Sequence, residues 1–159
     1  MTVTNFESAV SWYHKHFGFV LISEKVLDKK TVTELWPLYQ VANTTVRLGF
    51  LRAPGGQVLE IFEFSNQVKD PRQVWNAPGV THFTLDVKHV HQWVSQNRGI
   101  LNFIIEPQTT DGNDWVFLRD PDGNLIELID LKMNYHIIRK LGGIVGAVMK
   151  KTIYKRYYS

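Results

Sequence analysis

The chain has 159 residues, of which 44% are hydrophobic and 21% charged, a composition typical of one globular domain. It contains no cysteine, which excludes disulfides, thiolate nucleophiles and cysteine-ligated zinc. No segment approaches the roughly 20 apolar residues of a membrane-spanning helix and no signal peptide is visible, so we expect a cytoplasmic protein.

The net charge of +3 conceals an asymmetry along the chain. Residues 131–159 include seven lysines and arginines and no acidic residue, so this tail carries +7 and residues 1–130 carry −4. The basic isoelectric point therefore describes the tail, and the body is mildly acidic.

The first half of the sequence reads as a helix followed by three strands. Apolar residues recur at helical spacing from Asn5 to Phe17, with Asn5 as the expected N-cap and Gly18 as the expected stop. Strands are predicted over residues 19–27, 45–52 and 58–64, with an irregular or short helical piece at 36–42 and a turn at 53–56.

The second half repeats this plan after a polar loop over 65–78, which we interpret as a linker. Val58–Glu63 matches Leu125–Asp130 class for class, and Val3–Phe6 matches Val87–Val90. A duplicated α+β domain is therefore predicted, with modules at about 1–66 and 79–130 and an extension at 131–159. The second module has a predicted helix over 89–97 and predicted strands over 80–87, 100–105, 115–119 and 124–130.

Three polar residues interrupt strands that otherwise read as core: Glu60, His82 and Glu127. Strict alternation places His82 on a polar strand face with Thr84 and Asp86, which requires water or a ligand opposite it. Glu60 and Glu127 occupy equivalent places in the two modules. If a pseudo-twofold axis relates the modules, the trio converges into a site for a divalent metal of hard to borderline character.

The segments around this trio resemble motifs of the vicinal oxygen chelate superfamily, the glyoxalase, bleomycin-resistance and extradiol-dioxygenase group. The resemblance runs from about Met1 to Asp130, and the similar segments are FESAVSWYHKHFGF, APGG, LEIFEF, GVTHFTLDV and DPDGNLIELID. The resemblance implies two βαβββ modules forming a curved mixed sheet, with Glu60, His82 and Glu127 as ligands of Zn, Ni, Co, Mn or Fe.

The resemblance also implies a fourth ligand on the first strand of the first module. His82 precedes Val87 by five residues, and the same offset from Val3 falls upstream of Met1, so the first strand is largely missing. Three ligands still bind a metal, more weakly, with water completing the shell. A missing strand leaves a sheet edge exposed, so we expect self-association, as a homodimer.

Glutamates at both module ends resemble the lyase and isomerase branch of the superfamily more than its dioxygenases. That branch implies a small oxygenated substrate, such as a thiol conjugate or thioester, with Glu60 or Glu127 moving the proton. Tyr39, Arg47, Trp115 and Arg119 are candidate substrate contacts. The alternatives are a non-catalytic protein that binds a small molecule, or a truncated or degenerate relative.

The tail has an apolar stripe from Ile137 to Ile153 with basic residues around it and three glycines within it. Docking on the body or on a dimer partner is our first interpretation. Contact with an anionic membrane surface is the second. Contact with nucleic acid is the third interpretation, because the basic tail contains no motif that reads nucleic-acid bases.

Overall fold

The computed structural model describes residues 1–67, 75 and 78–158, which fall into two compact units. Unit 1 spans Met1–Gln73 and unit 2 spans Val74–Ser159. Most of the predicted linker at 65–78 lies outside the described residues.

Both units combine helices with a β-sheet, which confirms the predicted α+β class with its C-terminal helix. Unit 1 contains α1 (Phe6–Phe17), β1 (Val20–Leu27), α2 (Lys29–Glu34), α3 (Trp36–Tyr39), β2 (Val46–Arg52) and β3 (Val58–Phe64). Unit 2 contains β4 (Phe83–Asp86), α4 (Val90–Asn97), β5 (Asn102–Phe103), β6 (Gln108–Thr110), β7 (Asn113–Arg119), β8 (Leu125–Asp130) and α5 (Lys132–Lys151). A 3₁₀ turn at Lys155–Tyr157 follows α5.

Helix α1 has the two ends that the sequence predicts. The Asn5 side chain accepts a hydrogen bond from the Ser8 amide over 2.8 Å, which satisfies a donor that has no partner inside the helix. Gly18 ends the helix at φ 69°, in the left-handed region that glycine adopts without a Cβ penalty. Phe6 and Tyr13 are buried on the face of α1 that packs in unit 1.

The sheet of unit 1 is antiparallel, in the order β1-β2-β3. Thr2 adds an isolated parallel bridge to Phe62 on β3. One face of this sheet packs against α1. The other face holds a core cluster built on Leu27, Val32 and Val46, in which Val32 comes from α2.

The sheet of unit 2 has the order β4-β8-β7-β5, with β6 pairing β7. Strand β4 runs parallel to β8, whereas β8 and β7 are antiparallel. Ile126, Leu128, Val116 and Leu118 are fully buried on one face of this sheet. Alternation therefore turns Phe117 and Glu127, which pair across β7 and β8, to the other face.

Matching hydrogen bonds in the two units confirm the internal repeat. The Val3 amide donates to the Phe62 carbonyl over 2.8 Å, and the Val87 amide donates to the Ile129 carbonyl over 2.9 Å. These are the residues that the sequence aligns. The same alignment places Glu60 at the position of Glu127. Each glutamate lies two residues before the residue whose carbonyl accepts the matching hydrogen bond, Phe62 or Ile129.

Four elements differ from the prediction, and one of them is β4, which spans Phe83–Asp86 where a strand over 80–87 was predicted. Helix α2 was not expected; Asp28 caps it by accepting from the Thr31 amide over 2.8 Å. Strand β6 was not expected either. The predicted strand over 100–105 is shortened to β5, because the amides of Ile100 and Leu101 bond to the Asn97 carbonyl in a turn after α4.

Candidate active site

His82, Thr84 and Glu127 lie on the same face of the unit 2 sheet. Parallel pairing of β4 with β8 places Thr84 beside Glu127. His82 directly precedes β4, two residues before Thr84. The predicted polar face of this strand is thus confirmed.

One carboxylate oxygen of Glu127 lies close to both of the other side chains. Oε2 of Glu127 accepts a hydrogen bond from the Thr84 hydroxyl over 2.8 Å and lies 3.6 Å from Nε2 of His82. The other imidazole nitrogen, Nδ1, lies 2.9 Å from the Thr81 hydroxyl. The side chains of His82 and Glu127 are 25% and 20% exposed, so the pair is sheltered and still reachable from solvent.

Aromatic rings surround the imidazole of His82. Its ring centroid lies 5.2 Å from that of Phe117 and 5.3 Å from that of Trp75. Trp115, the predicted substrate contact, packs edge-on against Phe117 at 5.7 Å and donates from Nε1 to the Thr110 hydroxyl. We call Trp75, Trp115 and Phe117 the aromatic wall.

Two members of the aromatic wall, Trp75 and Phe117, were not predicted from the sequence. Phe117 alternates with Trp115 along β7, so the pattern that placed Trp115 could also have placed Phe117. Trp75 lies in the polar stretch between the modules, where no periodicity indicates its position.

The DPDGN segment forms the tight turn that joins β7 to β8. The buried carboxylate of Asp120 accepts hydrogen bonds from the Asp122 amide and from both the amide and the side chain of Asn124. Arg119, another predicted substrate contact, donates to the Gly123 carbonyl over 2.6 Å. The turn sets the start of β8, the strand that carries Glu127.

Unit 1 presents Glu60 on β3, paired across the sheet with Phe50 on β2. Alternation places Glu60 on the same face as Phe62 and Phe64. Tyr39 packs against those two rings, at centroid distances of 6.5 and 5.8 Å. Tyr39, a predicted substrate contact, therefore shares a face with Glu60.

Arg47 lies on the opposite face of the unit 1 sheet, over the ring of Phe6 at 4.2 Å. Its guanidinium pairs with Glu24, over 2.7 Å, and with Glu7. The hydrogen bonds that Arg47 donates to these two carboxylates raise the pKa of Arg47 above its ordinary value. Arg47 also lines a surface groove of about 590 Å³ together with Glu63. Its predicted contact with substrate stays a prediction.

Within each unit taken by itself, the described residues contain no group of three or more histidine, aspartate or glutamate side chains placed to hold a metal ion. His82 and Glu127 come together in unit 2, whereas Glu60 belongs to unit 1. The convergence of all three on one ion stays a prediction.

A comparison with models of known protein families shows to which family the chain belongs. A family model described as the glyoxalase/bleomycin resistance protein/dioxygenase superfamily matches residues 1–128. The chain belongs to this superfamily. The match ends within β8, so the whole tail lies beyond the region that the family model covers.

Solved structures of the glyoxalase superfamily share the fold. A glyoxalase family protein from Bacillus cereus is 19% identical, with 82% of this chain and 89% of that one covered and a TM-score of 0.67. Trypanothione-dependent glyoxalase I from Leishmania major is 20% identical, with coverages of 95% and 91% and a TM-score of 0.56. The fosfomycin resistance protein FosX from Listeria monocytogenes, complexed with Mn(II) and sulfate, is 13% identical, with coverages of 86% and 92% and a TM-score of 0.53.

At these identities the likeness extends to the fold alone. No curated protein matches the chain.

Proposed function

We propose that the protein is a metal-dependent lyase or isomerase of the glyoxalase type, acting in the cytoplasm on a small oxygenated substrate such as a thiol conjugate or thioester. The observation that carries this proposal is the His82–Glu127 pair, two metal-binding side chains 3.6 Å apart on the open face of a sheet. The equivalent place in the other module is also a glutamate, Glu60.

The donor atoms of this pair fit a divalent metal. With metal–ligand distances of about 2.1 Å, two neighbouring ligands of one ion lie roughly 3 to 3.6 Å apart, as Nε2 of His82 and Oε2 of Glu127 do. The Thr81 hydroxyl holds the far nitrogen of His82, and the Thr84 hydroxyl holds the carboxylate of Glu127. Such outer partners orient ligands and tune their basicity.

Glu60 is the proposed third ligand, by its equivalence to Glu127. One imidazole and two carboxylates form a set that suits Mn, Fe, Co, Ni or Zn. A metal bound there would supply Lewis-acid polarisation of the substrate's vicinal oxygens.

The side chains of the site would perform the remaining steps. A carboxylate of Glu127 or Glu60 would accept and return the proton, since each is partly buried and each belongs to the proposed ligand set. The aromatic wall would contact the apolar part of the substrate and exclude water from that side. Arg119, Tyr39 and Arg47 remain proposed contacts for its polar groups.

Metal uptake tests the proposal. Protein purified without chelator would be dialysed against Mn²⁺, Co²⁺, Ni²⁺ or Zn²⁺ and its metal content measured. We expect one ion per chain, lost in a Glu60→Ala/Glu127→Ala double variant. Glu63→Ala is the matched control, because Glu63 lies on the opposite face of β3 from Glu60. No uptake at millimolar metal would refute the proposal.

The aromatic wall favours one second candidate, a non-catalytic protein that binds a small molecule. Apolar and aromatic walls with a few polar groups are typical of ligand sites, whether or not a metal is bound. This candidate predicts ligand-dependent thermal stabilisation that EDTA does not change. Fosfomycin and bleomycin are the first compounds to test, because the names of relatives in the superfamily refer to resistance against them.

We also propose that the protein is a homodimer. Within unit 1, residues 1–3 hydrogen-bond to Glu60 and Phe62 on the outer side of β3. The described residues of this unit provide no further partner there, so the two ends of this strand edge are available for pairing. Sedimentation velocity on the full chain tests this proposal, and a single monomeric species at micromolar concentration would contradict it.

A further inference from the structure

The family model of the glyoxalase superfamily ends before the tail, residues 131–159. It comprises Leu131, α5, residues 152–154, the 3₁₀ turn and the two residues that follow this turn. Its seven basic residues are accompanied by no acidic residue. An element with this charge and no role in the sheet requires a separate explanation.

Helix α5 exposes an apolar stripe on one face. Leu141, Ile144, Val145 and Val148 recur at the spacing that places them on one side of a helix. Ile144 is 67% exposed and Val148 is 56% exposed, so neither is covered by its own unit. Docking of this stripe on the rest of unit 2 would have buried them.

Basic and aromatic residues border the apolar stripe. Lys140 and Lys151 lie on the turns that flank it, and all the described lysines of α5 are exposed. After the helix, Tyr154, Tyr157 and Tyr158 are exposed, with Lys150 over the ring of Tyr158 at 5.0 Å. Tyrosine is enriched where an apolar phase meets water, because its ring is apolar and its hydroxyl is polar.

We propose that α5 and the 3₁₀ turn bind the surface of an anionic lipid bilayer, with the apolar stripe inserted between the headgroups. The positive polar side would meet the negative lipids, while the stripe would gain the burial that it lacks in the protein. The helix would lie along the surface, since no helix in the described part of the chain is long and apolar enough to cross a bilayer.

The positive charge of the tail and its apolar stripe together favour an anionic bilayer over nucleic acid or a second copy of the helix. Nucleic acid would satisfy the lysines and leave four apolar side chains in water. A second copy of the helix would cover the stripe and bring two strongly positive segments together. An anionic bilayer matches both the charge and the apolar stripe.

Flotation of the full chain with liposomes tests the proposal. We expect the protein to float with phosphatidylcholine vesicles that contain phosphatidylglycerol and to stay behind with pure phosphatidylcholine. Each basic residue near the surface contributes about fivefold to partitioning, so Lys150→Gln/Lys151→Gln should bind roughly 25-fold more weakly. Flotation independent of phosphatidylglycerol, or absent with both vesicles, would overturn the proposal.

A fluorescent label tests whether the stripe is the inserted side. Because the chain has no cysteine, Ile144→Cys and Gly143→Cys each give a single labelling site. Gly143 lies off the stripe, and a side chain added there meets no atom within 4 Å. We expect an environment-sensitive dye to shift to the blue on vesicles at position 144 only. Equal shifts at both positions would contradict the proposed orientation.

Two further measurements separate the competing occupants. Binding to a generic RNA or DNA duplex with no binding to anionic vesicles would assign the tail to nucleic acid instead. Loss of a dimer in Ile144→Asp/Val148→Asp, again without vesicle binding, would assign it to a contact between copies. The Glu60→Ala/Glu127→Ala variant should float like the unmodified protein, so this test is independent of the proposed metal centre.

Discussion

The hydroxyl of Thr84 donates a hydrogen bond to Oε2 of Glu127 over 2.8 Å, across the parallel pair β4 and β8. In the proposed metal complex this bond fixes the orientation of a ligand carboxylate. Thr84→Val should therefore weaken Mn²⁺ binding about tenfold, the lower end of the effect of losing an outer partner of a ligand. Isothermal titration calorimetry measures this effect.

Thr84→Ser is the control for that change, because it keeps the hydroxyl and removes a methyl group. We expect it to bind Mn²⁺ as the unmodified protein does. If Thr84→Val binds equally well while Glu127→Ala does not bind, the hydrogen bond has no part in orienting the ligand.

Gly49 on β2 has no room for a side chain. A Cβ built there would lie 2.5 Å from Cζ of Phe6, whose ring is buried between α1 and the sheet. Gly49→Ala should therefore destabilise the protein by about 1 to 3 kcal/mol, the usual cost of overpacking a core. Urea denaturation gives the free energy of unfolding.

Gly143→Ala provides the opposite case, since a Cβ there meets nothing and the residue lies within a helix. It should leave the protein unchanged or stabilise it by up to about 1 kcal/mol. A smaller loss for Gly49→Ala than for Gly143→Ala would show that α1 does not pack as closely as described.

Asp120 holds the turn between β7 and β8 through three hydrogen bonds to Asp122 and Asn124, and it is 5% exposed. Asp120→Ala leaves these donors without their acceptor and should cost about 1 to 3 kcal/mol of unfolding free energy. The exposed turn residue Asp111 is the control, because Asp111→Asn should change stability by less than about 0.5 kcal/mol. Equal losses for both variants in urea denaturation would contradict this role of Asp120.

The carboxylate of Asp114 makes stability depend on acidity. A hydrogen bond from Thr109 and the nearby ammonium of Lys132 lower the pKa of Asp114 below its ordinary value of 3.8. The contribution of Asp114 is therefore complete above pH 3.8 and is lost as the pH falls through the lower folded value. The stability difference between the unmodified protein and Asp114→Asn should be constant near neutral pH and vanish in acid.

Lys132→Met tests the cause of that shift, because it removes the charge that lies 3.1 Å from Oδ2 of Asp114. The pKa of Asp114 then rises towards 3.8, so the loss of stability in acid should be smaller and should be complete at a higher pH. Unfolding curves measured across the acid range would show no such displacement if Lys132 has no influence on Asp114.

Features encoded by short, regular patterns were predictable from the sequence. Asn5 and Gly18 marked both ends of α1, because capping and left-handed backbone depend on one residue each. The bounds of β3 and the polar face that carries His82 followed from alternation. The internal repeat was visible because equivalent strands keep the same residue classes.

Features created by distant contacts or weak patterns were not predictable. The partners of Arg47, Glu7 and Glu24, lie on other elements, so no local spacing indicated that its guanidinium is engaged. Strand β6 consists of exposed polar residues without an apolar face, and it forms because its backbone pairs with β7. Trp75 lies near His82, but it belongs to a polar stretch of sequence without periodicity, so no local pattern indicated this contact.

The hydrogen bond between Val3 and Phe62 has a counterpart between Val87 and Ile129, so each of these positions in one half of the protein has an equivalent position in the other half. The same amino-acid change can be introduced at a position and at its counterpart, and both measured under identical conditions in molecules of the same size. Since local backbone geometry is shared, any inequality between the two results isolates how far the halves have diverged since the duplication.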